Sequence, residues 1–238
     1  MSNPVLRSPR LEKHNGVWVV RDDILAGGTK TRIFMALMRA RDEAEFVYAS
    51  PANGLAQVAL SVAAYQVCKQ ATIFVAKRST WSPRTVEAAS YGARIIEVEP
   101  GYLTVVQARA REYAASREAF MVPFGGSGEF SSVITDAAAA LQIDPSEVWC
   151  AAGSGTLARA LKQAWPSAKL HAVQVGKACA LSDDITRHRS DYAYHRACRF
   201  PVPFSSDRFY EAKAWEILSR EQWRRVGDVV FWNVAGAV

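Results

Sequence analysis

Short apolar runs alternate with stretches of helical periodicity from residue 17 almost to the end of the chain. The run VWVV at 17–20 predicts a strand, and Ile33, Phe34, Leu37 and Met38 recur at helical spacing within 31–41. A strand at 46–49 ends at the turn sequence SPANG, residues 50–54, and a helix of small apolar residues follows over 55–68. Residues 71–76, ATIFVA, are continuously apolar, as in a strand buried on both faces. Ser82-Pro83 opens a helix that runs through Tyr91 and stops at Gly92. A strand at 93–98, a helix at 102–115 and a short strand at 120–122 come next. The glycine-rich turn FGGSG at 124–128 leads into a helix over 130–141, which Asp144-Pro145 separates from a strand at 148–152. The turn Gly153-Ser154-Gly155-Thr156 then opens a helix over 157–164, followed by a strand at 169–175, a helix at 209–223 and a last strand at 228–233. Two segments lack periodicity. Residues 1–16 read as an irregular lead-in limited by Pro4 and Pro9, and 176–208 as a long loop of the kind that carries function or moves.

Repeated strand and helix at this spacing predict an α/β fold with parallel sheets covered by helices. The 238 residues suffice for one large domain or two small ones, and 50% hydrophobic with 22% charged residues is a globular balance. No apolar run approaches the roughly 20 residues that cross a bilayer, and the first residues carry no apolar signal core, so a cytoplasmic protein is expected. Cys68, Cys150, Cys179 and Cys198 are scattered without a CxxC pair, which favours free thiols over a metal site or a disulfide. The net charge of +6 permits a polyanionic partner, with Arg187-His188-Arg189, His195-Arg196 and Arg224-Arg225 thickening the last third.

Candidate chemistry sits at the strand-to-helix turns, where open α/β sheets bind ligands. Lys30 follows a glycine pair at a helix start, where the dipole and partial burial lower an amine's pKa as an imine-forming lysine requires. By itself it reads as a solvated helix-start lysine, and the rest of the chain changes that. Gly153-Ser154-Gly155-Thr156 lies between a buried strand and a helix, so its N–H groups and hydroxyls suit a phosphate; a tight structural turn is the alternative. It is neither a Walker motif nor a GxGxxG fingerprint. An amine on one loop and a phosphate cradle on another suggest pyridoxal phosphate.

From about residue 17 onward the chain resembles the fold type II (tryptophan synthase β-like) pyridoxal phosphate enzymes, and within them the branch of aminocyclopropane carboxylate deaminase and D-cysteine desulfhydrase. RDDILAGGTKTR is similar to that branch's GGNKTRKLE segment, PANGLAQVA to its QSNxxRQVA, FYEAK to its VYEGK, and FWNVAGAV to its closing HxGG segment. The resemblance implies two parallel-sheet α/β subdomains with the cofactor in the cleft between them. The larger subdomain would take residues 1–45 and 122–238, the smaller 46–121. It makes Lys30 the Schiff-base lysine, Asn53 the partner of the cofactor's phenolic oxygen, and Gly153, Ser154, Gly155 and Thr156 the phosphate loop. Glu211 is then the partner of the pyridine nitrogen and Tyr210 a catalytic group facing substrate. Ser50, Ala52, Tyr194, His195 and Asn233 fall to the substrate side, no metal is called for, and a homodimer is the family expectation.

The departures bear on the reaction. Ala52 stands where the deaminases have a serine, Asn233-Val234-Ala235-Gly236 replaces HxGG, and the chain is shorter between Val175 and Phe209. Aminocyclopropane carboxylate deamination itself is therefore not expected. The expectation is a lyase working at the α-carbon of a small amino acid, by elimination and deamination or by decarboxylation, through an imine with the cofactor. Compact proteins resembling this family occur in bacteriophages that hypermodify thymine, so the alternative is decarboxylation of an amino acid already attached to a base in DNA. A non-catalytic cofactor carrier is a third alternative, against which the joint retention of Lys30, Asn53, the phosphate loop and Glu211 stands.

Overall fold

The computed structural model describes residues 8–123, 131–176, 179–221 and 227–237. In chain order it has β1 (Leu11–His14), β2 (Val17–Arg21), α1 (Thr29–Arg39), β3 (Glu45–Ala49), α2 (Leu55–Gln66), β4 (Gln70–Ala76), α3 (Pro83–Ser90), β5 (Arg94–Val98), α4 (Leu103–Ser116), β6 (Phe120–Met121) and α5 (Ser131–Ala139). There follow β7 (Glu147–Ala152), α6 (Thr156–Ala164), β8 (Lys169–Gln174), β9 (Ile185–Arg189), α7 (Glu211–Arg220) and β10 (Val229–Asn233). The chain divides into two units, 1–25 with 131–237, and 26–130. The resemblance drew its boundary at 45/46; by packing, α1 groups with α2, so Lys30 belongs to the second unit.

The first unit is built on a six-stranded sheet in the order β1-β2-β10-β7-β8-β9, parallel except where β1 pairs antiparallel with β2. β10 lies between β2 and β7, and all five of its residues are buried, as its apolar sequence VVFWN dictates. One apolar cluster joins Val17, Trp149, Val173 and Phe231 to Ala214, Trp215 and Leu218 of α7, with Phe204 edge-on to Trp215 at 4.8 Å.

The lead-in expected at 1–16 is not irregular throughout: β1 occupies Leu11–His14. His14 pairs with Val17, leaving Asn15-Gly16 as a two-residue turn with both φ positive, +48° and +79°. Arg21 then fixes the chain leaving β2, because its guanidinium donates both Nε and Nη2 to the Asp23 carboxylate at 2.8 Å and also pairs with Glu12. The long loop expected at 176–208 contains an edge strand. β9 reads ITRHR, with Thr186 and His188 turned inward and Arg187 and Arg189 exposed, and such cations discourage edge-to-edge pairing.

The second unit carries a fully parallel sheet, β5-β4-β3-β6. β4 is buried along its length except at its two ends. α4 covers one face through Val106, Ala110 and Ala114, which pack on Val47, Ala49 and Phe74. α3 begins where Ser82 Oγ accepts from Thr85 N at 3.2 Å and Pro83 takes the first turn. The turn at 124–128 lies outside the described residues.

Candidate active site

In the second unit, Lys30 is the second residue of α1 and is half-buried. The first glycine of the pair before it serves packing. Gly27 has φ +76°, and a Cβ there would stand 2.4 Å from Ala59 Cα and 2.8 Å from Ala59 N, so only glycine lets this loop lie directly on the α2 backbone. Thr31 Oγ1 donates to Ala26 O at 2.8 Å and ties the first turn of α1 to the same loop.

The turn after β3 is held by side chains that the sequence reading left without a role. Gln57, buried in α2, donates to Ala52 O at 2.9 Å and accepts from Thr85 Oγ1 at 3.0 Å, and Ser82 Oγ also donates to Ala52 O. The backbone at 51–54 is therefore pinned from α2 and α3, with Asn53 exposed at its tip. Ser50 is buried, its Oγ donating to Pro51 O at 2.8 Å. Gln57 and Ser61 are the buried polar residues of an otherwise largely small and apolar helix, and that is the signal that points to Gln57.

In the first unit, the turn between β7 and α6 is tight. Gly155 caps α6 with φ +80°, the left-handed region, and the Ser154 and Thr156 hydroxyls lie 3.1 Å apart. Gln174 at the end of β8 donates to Ala152 O at 3.0 Å and accepts from Cys179 N at 3.2 Å, bracing the turn from the neighbouring strand. Arg159 lies over it, with Nη2 3.4 Å from Thr156 Oγ1.

Tyr210, which caps the start of α7, meets this turn, and Glu211 follows it as the first residue of the helix. A Cβ placed on Gly153 would be 3.3 Å from the Tyr210 hydroxyl, so the phenol lies against the phosphate-loop backbone. Burial pushes the Tyr210 pKa up, helped by Tyr194, Glu211 and Asp207. Glu211 is buried at 4% exposure, and its charge reaches Cys150 on β7, whose thiol is pushed up to about 12 chiefly by burial. The Tyr194 ring stands edge-on to Tyr210 at 6.0 Å. Lys213, in the first turn of α7 and buried, holds that segment by donating to Ala193 O at 3.0 Å and Tyr194 O at 3.2 Å.

Tyr194, Tyr210, Glu211 and residues 153–156 thus come together within the first unit. His195 is exposed, lining a cleft of about 430 Å³ with Asp191, Tyr192, Arg196 and Arg220. Asn233 ends β10 fully buried, with Nδ2 donating to Ser205 O at 2.8 Å. Lys30, Ser50, Ala52 and Asn53 lie in the second unit. Among the described residues no group of three or more His, Cys, Asp or Glu side chains is arranged to hold a metal ion, and no helix is long and apolar enough to cross a membrane.

Comparison with known proteins bears on the fold and the family. A solved structure described as an ACC deaminase homologue superposes with a TM-score of 0.77 at 13% identity, covering 92% of this chain and 84% of that one. A hydrogen sulfide-producing enzyme from Fusobacterium nucleatum gives 0.77 at 17% identity, covering 100% of this chain and 97% of that one. Maize serine racemase gives 0.75 at 14%, covering 98% and 89%. At identities this low the likeness is one of fold. No curated protein matches the chain. The family model described as pyridoxal-phosphate dependent enzyme matches residues 2–227, and the chain belongs to that family, with the type II fold and pyridoxal phosphate as its cofactor.

Proposed function

We propose that this protein is a lyase that works at the α-carbon of a small amino acid, with elimination and deamination as its reaction. One observation carries the reading: the Tyr210 hydroxyl lies against Gly153, and the buried Glu211 carboxylate follows it in the chain. The turn at 153–156 fits a phosphate, since it offers hydroxyls and helix N-terminal N–H groups, with its backbone shaped by a left-handed glycine. Glu211 fits a protonated ring nitrogen, because a buried carboxylate is stabilised by a cationic partner. Lys30 Nζ would hold the cofactor covalently, Asn53 would bond its ring oxygen, and residues 153–156 its phosphate.

Bound pyridoxal phosphate supplies an electron sink for negative charge developing at the substrate's Cα. Lys30 Nζ would be the base that takes the Cα proton. Tyr210 Oη keeps its proton well above neutral pH and can give it to the departing group on the β-carbon. Tyr194 packs edge-on beside Tyr210 and would help orient the phenol.

The test is borohydride reduction followed by peptide mapping, with pyruvate or other 2-oxo acid release measured on serine, D-cysteine and related amino acids. The expected result is cofactor fixed to the Lys30 peptide in the native chain and absent from Lys30→Ala. Cofactor fixed to a different lysine would overturn the assignment. Release of carbon dioxide without ammonia would overturn the elimination reading.

A second reading, an amino acid carried on DNA, draws support from the exposed His195 and Arg196 beside Arg220 around one cleft. Turnover of such a substrate would fall steeply with added salt, as phosphate contacts require. Turnover of a free amino acid would barely change.

A further inference from the structure

The candidate phosphate loop has a cation of its own. Arg159 projects from the first turn of α6 and folds back over residues 153–156. Its Nη1 donates to Ala180 O at 2.9 Å and to Ser154 O at 3.4 Å, and its Nη2 donates to Thr156 Oγ1 at 3.4 Å. Gly155 makes the room: a Cβ there would stand 2.8 Å from Arg159 Nη1, 2.8 Å from Leu181 Cδ2 and 3.2 Å from Cys179 Sγ. The left-handed backbone and the missing side chain at Gly155 are thus both used to seat this guanidinium on the turn.

Its partners are carbonyls and a hydroxyl, all neutral. Among the described residues no carboxylate forms an ion pair with Arg159. Neutral acceptors leave the guanidinium without a counter-charge, and its five N–H donors exceed what these contacts use. It is exposed, so an incoming anion can reach it. A phosphate monoester dianion seated on the same turn supplies the missing negative charge, and charge-assisted hydrogen bonds to phosphate are the strong ones.

We propose that Arg159 is the residue that selects the phosphorylated form of the cofactor, serving as counter-ion to its phosphate group. The proposal rests on residues 153–156 being the phosphate loop. The neutral hydroxyls and N–H groups of the loop supply geometry, and Arg159 supplies net charge. Pyridoxal, which lacks the phosphate, gains nothing from this residue.

The experiment is equilibrium titration of the cofactor-free protein with pyridoxal phosphate and, separately, with pyridoxal, read by quenching of tryptophan fluorescence. Arg159→Gln is expected to weaken pyridoxal phosphate by about 10- to 100-fold, the size of one lost charge-assisted bond, and to leave pyridoxal within about twofold. Raising salt should weaken pyridoxal phosphate less in Arg159→Gln than in the native chain. An unchanged affinity for pyridoxal phosphate, or an equal loss for both ligands, would overturn the proposal. The double variant Ser154→Ala, Thr156→Val separates this failure from failure of the loop assignment. If the double variant loses affinity for pyridoxal phosphate and Arg159→Gln does not, only the role of Arg159 is lost. If neither loses affinity, the phosphate is bound elsewhere and both readings fall.

Discussion

His171 Nδ1 and His188 Nε2 lie 2.8 Å apart, diagonal neighbours on β8 and β9. At that distance one nitrogen must donate and the other accept, so the two rings cannot both be imidazolium without forcing two N–H groups together. The His171 ring stacks flat on Trp149 at 4.0 Å, and His188 stacks on the same indole at 4.7 Å. Glu147 Oε2 is 3.7 Å from His171 Nε2, and Glu221 Oε1 is 3.9 Å from His188 Nδ1. For His188, burial holds the pKa below its ordinary 6.5; Glu221 opposes this and Lys169 adds to it.

The pair predicts acid sensitivity. Because the folded pKa of His188 is lowered, the unfolded chain binds a proton that the folded chain refuses as pH falls below 6.5. The contribution is complete above that pH and is lost on going down toward the folded pKa, at up to about 1.4 kcal/mol per pH unit for one proton. Urea unfolding between pH 8 and 5 should show this slope, and His188→Gln should flatten it. An equal slope in the variant would place the sensitivity in other groups.

Gly27→Ala is expected to destabilise the second unit by about 2–5 kcal/mol, combining a positive φ with a clash against helix backbone. Gly92→Ala is the control: Gly92 has φ +82° but nothing within 4 Å of its added Cβ, so only the backbone term of about 1 kcal/mol applies. Thermal unfolding of both variants measures the difference. Equal effects would mean that the loop can lift off Ala59 at no cost.

The same two glycines show what the sequence discloses. Both mark turns, and the alternation of apolar runs with helical stretches foretells the order of strands and helices from β2 to β10, β9 excepted. That Gly27 meets Ala59 depends on which helix packs against the loop, which no local pattern encodes. β1 escapes notice because four residues with two prolines upstream carry little signal, although Asn15-Gly16 is a hairpin turn sequence in its own right. β9 escapes because ITRHR is polar, and its inward histidine finds its place only against Trp149 and His171. Among the candidate residues, the loop glycines, Tyr210 and Glu211, and Lys30 in the second unit, are legible as candidates from motif and junction. The braces Gln174 and Lys213 are not, since the backbone carbonyls they hold are distant in the chain.

Lys213 supports a prediction of local order. Lys213→Met keeps much of the buried volume but removes the donors that hold Ala193 O and Tyr194 O. Leaving two carbonyls without their partner is expected to cost about 1–3 kcal/mol. Hydrogen exchange should quicken at 191–196 while β7 and β10 stay protected. Uniform acceleration across the first unit would show instead that Lys213 supports the whole core.

Tyr210→Phe separates the chemistry of this phenol from its packing. With its folded pKa raised above 10.0, Tyr210 keeps its proton while an unfolded tyrosine loses one, so stability falls as pH climbs past 10. Tyr48, buried in β3 and raised for the same reason, contributes in the same sense and remains in the variant. Tyr210→Phe should therefore lose part, not all, of the alkaline decline in unfolding free energy. Its affinity for pyridoxal phosphate should stay within about threefold, because the phenol contacts the Gly153 backbone but supplies no charge to the phosphate. Turnover of the preferred amino acid should drop by about 10²- to 10⁴-fold, the usual loss when a positioned acid is removed. Full turnover in Tyr210→Phe would assign the phenol to packing against the loop and move the proton donor to another residue.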